Sequence, residues 1–65
     1  MPIIEFSGPK LTADQKRELV AEFTRTAQQV TNLPVEAFTV IIQEIPSENV
    51  GVAGQLLSDR QRSQG

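Results

Sequence analysis

The sequence predicts an α+β fold: a strand, a helical crossover, a second strand parallel to the first, and a C-terminal β-hairpin, assembled as a homo-oligomer. Three observations predict it. An apolar stripe of helical period lies between two apolar runs of strand length. The second run is apolar on both faces, which one helix cannot cover. The chain has 65 residues and no Cys or His, so no disulfide, thiolate or imidazole site reinforces it. A domain this small buries only about 60% of its unfolded surface. Self-association is the reinforcement left.

Ile3 to Ser7 alternates as a strand, with Ile4 and Phe6 on one face and Ile3, Glu5 and Ser7 on the other. Pro2 is tolerated at its start, where no ladder hydrogen bond is needed, and Gly8-Pro9 ends it. Thr12 is an N-cap and Gln15 completes a capping box. Asp14 sits where the helix dipole favours negative charge. Leu19, Val20, Phe23, Ala27 and Val30 recur at helical spacing. Asn32 closes the helix, and Leu33-Pro34 prevents its continuation. Residues 34–37 form a short connection. Phe38 to Ile45 is the second strand, with Phe38, Val40 and Ile42 on one face and Ile41 and Ile45 on the other. Residues 46–49 turn the chain, and Val50-Gly51-Val52-Ala53-Gly54 reads as a tight hairpin. Leu56 and Leu57 pack, and about 59–65 is a polar tail. Residues 1–65 form one domain, and the crossover makes the two main strands parallel and right-handed.

Composition narrows the function. Leu, Ile, Val and Phe make up 19 of 65 residues, above the level of about 20% that marks disorder. Net charge is −2, so there is no basic excess to neutralise phosphates and no nucleic-acid partner is expected. No apolar run approaches the roughly 18 residues of a membrane span, and no membrane association is expected. Met1-Pro2 does not open a signal peptide, so the expected compartment is the cytoplasm. All Lys and Arg lie in residues 10–25 and 60–62, which limits where an anion can be gripped.

The usual catalytic devices are missing. No Ser/His/Asp or Cys/His set, P-loop, dinucleotide fingerprint or His/Cys cluster occurs; no metal site is expected. Glu44 and Glu48 fall across a strand and a turn, so nothing fixes them as an acid/base pair, and both read as structural or solvated side chains. The unusual residue is Pro2. Initiator methionine is commonly removed before a small residue, so Met1 is expected to be removed. That leaves a secondary amine at the terminus. A free α-amino group titrates near ~7.7–8.0. A proline amine is intrinsically more basic, but an apolar site lowers the pKa of a cation. Such a site makes Pro2 a general base near neutral pH. The plainer reading, that Pro2 merely starts a strand, stands beside it.

The order of motifs adds to this: Pro2-Ile3-Ile4, then Thr12-Ala13-Asp14-Gln15-Lys16, then Val40-Ile41-Ile42-Gln43-Glu44, then Val50-Gly51-Val52-Ala53-Gly54. Over nearly residues 2–60 the chain resembles the 4-oxalocrotonate tautomerase family, in particular its small DmpI-like branch. The resemblance implies a β-α-β chain assembling as a hexamer, with trimers known. It implies the amino-terminal proline, here Pro2, as general base between enol and keto forms, without cofactor or metal. It also places the hairpin at a subunit interface.

The departures fall in substrate binding. By the same resemblance, family members hold a dicarboxylate with two arginines. One aligns with Leu11, beside Lys10, and the other with Thr39. An aromatic residue before the hairpin glycine aligns with Val50. An arginine fork is not replaced by a point charge or a methyl. Lys10, Leu11, Thr39 and Val50 are therefore the candidate substrate-binding residues. Lys10 supplies one positive charge, Thr39 a hydroxyl and Val50 an apolar wall, while Arg60 or Arg62 can reach a neighbouring copy. The expected function is a cofactor-free tautomerase of a small enol or 2-oxo acid. The alternatives are a non-catalytic or hetero-oligomer subunit of the same fold, or a lyase- or dehalogenase-type activity using the same proline.

Overall fold

The computed structural model describes residues 1–63. Strand β1 (Ile3–Gly8) leads into helix α1 (Ala13–Thr31), then a 3₁₀ turn (Val35–Ala37), β2 (Thr39–Glu44), a second 3₁₀ turn (Ser47–Asn49), a hairpin of β3 (Gly51–Val52) and β4 (Gln55–Leu56), and helix α2 (Leu57–Ser63). β1 and β2 pair in parallel, from Ile3 opposite Thr39 to Gly8 opposite Glu44.

The helix begins and ends where its capping residues dictate. The Thr12 hydroxyl accepts from the Gln15 N–H at 3.1 Å, and the Thr12 N–H donates to Gln15 Oε1 at 2.9 Å, satisfying two N-terminal donors. Asn32 adopts φ 60 and donates its N–H to the Gln28 carbonyl at 2.9 Å, a left-handed cap. In the hairpin Ala53 and Gly54 both have positive φ, as a two-residue turn between twisted strands requires.

α1 lies on the sheet face formed by Ile4, Phe6, Val40 and Ile42, all half-buried. Phe23 meets Phe6 with ring centroids 6.0 Å apart. The packed stripe is Leu19, Phe23 and Ala27. Val20 and Val30 were expected in it, but both are exposed, Val30 at 79%, because a two-stranded sheet is too narrow to cover so wide an arc of helix. β2 is shorter than expected: Phe38 caps the 3₁₀ turn and Ile45 lies beyond the last paired residue. The expected polar tail is helical through Ser63; residues 64–65 lie outside the described residues.

The opposite sheet face carries Ile3, Glu5, Ser7, Thr39, Ile41 and Gln43, all exposed. Among the described residues none is fully buried. The chain exposes 5158 Å², against about 4,100 Å² for a compact monomer of this mass. Its radius of gyration is 15.5 Å, against about 11 Å for a globule of this length. Among the described residues a single copy has no buried core: α1 leaves its own sheet face half-buried, and the other face is exposed.

Candidate active site

Pro2 stands at the amino end of β1. Its carbonyl accepts the Thr39 N–H at 3.2 Å, extending the parallel ladder by one residue and fixing Thr39 as its neighbour across the sheet. Pro2 is half-buried and Thr39 exposed. Met1 is 95% exposed, so its loss removes no packed side chain.

Lys10 lies at the other end of β1. Six strand residues at about 3.3 Å each put it about 20 Å from Pro2. There a groove of about 580 Å³ is lined by Pro9, Lys10, Ile45, Ser47, Val50 and Leu57, with Ser7, Gly8 and Gln61 completing it. The hairpin closes it because the Leu57 N–H donates to the Val50 carbonyl at 2.8 Å. Its walls are mainly apolar and Lys10 is its cation, a surface able to take a small organic anion.

The five candidate residues thus separate. Pro2 and Thr39 meet at one end, and Lys10 and Val50 share the groove at the other. Leu11 joins neither group. Its side chain lines a shallow depression on the helix side with Gln15, Glu18, Leu19 and Glu22. Arg60 is half-buried on α2 and outside the groove lining. The side chain of Arg62 lies outside the described ones.

Glu44 takes the structural one of its two expected readings: it is exposed yet partnered. Its Oε2 accepts the Leu11 N–H at 3.1 Å and pairs with Lys16 Nζ at 3.0 Å. The Leu11 N–H and then Lys16 hold its carboxyl below the ordinary value of 4.5, against desolvation and with a weaker pull from Lys10. Strand parity was the overlooked signal: Glu44 shares the helix-facing side of β2 with Ile42. The groove polar groups Ser7, Ser47 and Gln61 carried no comparable signal. Among the described residues no group of three His, Cys, Asp or Glu is placed to hold a metal, and no helix is long and apolar enough to cross a membrane.

A parallel β-α-β unit with a leading proline and a C-terminal hairpin defines a class of small tautomerase-like chains. A family model described as "Tautomerase enzyme" matches residues 2–60, and the chain belongs to that family. It is 38% identical over 48 residues to the 2-hydroxymuconate tautomerase of Bacillus subtilis (strain 168), covering 74% of this chain and 77% of that one. The crystal structure of DmpI from Archaeoglobus fulgidus is 41% identical with a TM-score of 0.83, covering 89% of this chain and 100% of that one. TomN, a 4-oxalocrotonate tautomerase homologue in the tomaymycin biosynthetic pathway, is 28% identical with a TM-score of 0.92, covering 98% and 100%. Membership supports a tautomerase activity, which is an isomerase reaction.

Proposed function

We propose that the protein interconverts enol and keto forms of a small 2-oxo acid, with Pro2 as general base once Met1 is removed, at sites shared between copies of the chain. The family match, which starts at Pro2 itself, carries this reading. With Met1 attached the Pro2 nitrogen is an amide without a basic lone pair; removal of Met1 turns it into a secondary amine. The neutral amine takes the enol hydroxyl proton while the oxygen electrons close the carbonyl. The displaced C=C pair then takes the proton back from the pyrrolidinium onto carbon. One proton moves and nothing is oxidised or reduced, so the reaction needs no cofactor.

The 20 Å scale of the separation supports a shared site: a small substrate cannot touch Pro2 and Lys10 of one copy. The uncovered sheet face and excess exposed surface supply the contacts for other copies. A hexamer is the assembly proposed, with a trimer or a hetero-oligomer as the outcomes that would replace it. Lys10 as the groove's cation, with Leu11 and Thr39 in place of arginines, favours a monocarboxylate over an extended dicarboxylate.

The test is Pro2→Ala in processed protein, assayed with 2-hydroxymuconate and with the same dienol bearing hydrogen in place of one carboxylate. Turnover should fall by roughly 10²–10⁴-fold, the range for loss of a general base, with assembly intact. Intact mass should show Met1 absent. Unchanged turnover, or an active protein that retains Met1, would sink the reading.

A further inference from the structure

We propose that Glu44 is a positioning residue for this site: its carboxylate holds the connection between β1 and α1 so that Lys10 is presented to the substrate's anionic group. This rests on the reading of Lys10 given above. The connection, residues 9–12, has no regular structure of its own, and Pro9 has no N–H to donate. It is tied down at two points by consecutive residues at the end of β2. The Ile45 N–H donates to the Gly8 carbonyl at 2.8 Å, and Glu44 Oε2 accepts the Leu11 N–H at 3.1 Å. Lys10 sits between the two ties and lines the groove.

The same Glu44 oxygen pairs with Lys16 at 3.0 Å, so one atom joins the strand end, the connection and the first turns of the helix. Lys16 takes the carboxylate, and Lys10 makes no ion pair among the described residues. The Lys10 ammonium is open to an incoming anion, and the tether that presents it is the Leu11 N–H bond to Glu44. The pair is partly exposed, at 36% for Glu44 and 39% for Lys16, and such pairs add little stability. Orientation is the larger consequence, because a displacement of about 1 Å in a binding group costs up to 10²-fold in rate.

Three variants of the full chain test this with the two dienols above. Glu44→Ala should raise KM roughly tenfold with kcat nearly unchanged. It should also speed amide exchange at Leu11. Glu44→Gln keeps an oxygen for the Leu11 N–H and should recover most of KM and the Leu11 protection. Lys16→Met, which removes only the ion pair, should leave both near wild type. An unchanged KM in Glu44→Ala overturns the proposal, as does an equal rise in KM in Lys16→Met. If Glu44→Ala does not fold, wild-type KM and Leu11 exchange in Glu44→Gln support the tether, and wild-type KM with fast Leu11 exchange there overturns it. The proline reading fails separately, through unaltered turnover in Pro2→Ala, and the Leu11 exchange measurement stays informative in that case.

Discussion

The two ends of the β1–β2 sheet are built differently. At the amino end one backbone hydrogen bond joins Thr39 to Pro2, Met1 is almost fully exposed, and Ile3 is 56% exposed. At the carboxyl end Ile45, Glu44, Lys16 and the hairpin bind the chain into a groove through four contacts of 2.8–3.1 Å. The loosely held end carries Pro2, the proposed base. The firmly held end carries the cation and the apolar walls. Recognition gains from a preorganised shape, and the contacts that shape this end all lie within one chain. In the proposed assembly a neighbour supplies the apolar surroundings of the proline end, which an amine needs to be neutral near pH 7.

The strongest way to break this comparison is to put the two ends on different chains. Pro2→Ala protein refolded with Lys10→Ala protein should recover about a quarter of wild-type kcat/KM, the share of random pairings that joins intact ends. If both ends served one site within a copy, the mixture would give no more than the average of the two.

A smaller effect sharpens the roles. Lys10→Ala should raise KM for the monocarboxylate dienol roughly tenfold, whereas Thr39→Val should change it by about twofold. Equal effects from both would erase the division between a charged end and an uncharged one.

The smallest effect concerns pH. The Glu44 carboxyl is held below 4.5 in the folded chain. Its contacts therefore favour the fold above the unfolded value and are lost as pH falls through the lower folded one. Protection of the Leu11 amide should decline on acidification below about pH 4.5, and Glu44→Gln should abolish that dependence. Protection that falls equally in both proteins would remove Glu44 as the cause.

Much of this was legible in the sequence. Thr12 with Gln15, Asn32, and Ala53-Gly54 are local devices whose chemistry acts over a few residues, so helix limits and turn were readable directly. The split between Pro2 and Lys10 was not, because it depends on strand length in space and not on spacing along the chain. Val20 and Val30 misled because helical period reports apolar residues without saying which surface covers them. The Glu44 link to Leu11 and Lys16 crosses about 30 residues of sequence, and only strand parity pointed towards it.

The absence of any fully buried residue among those described has a thermodynamic consequence. In the proposed assembly such a chain has no core of its own to fold around, so folding and association become one equilibrium. Its melting temperature then depends on protein concentration by mass action. Dilution acts on it as denaturant acts on a monomeric enzyme, and the amount of chain present sets how much of it is folded.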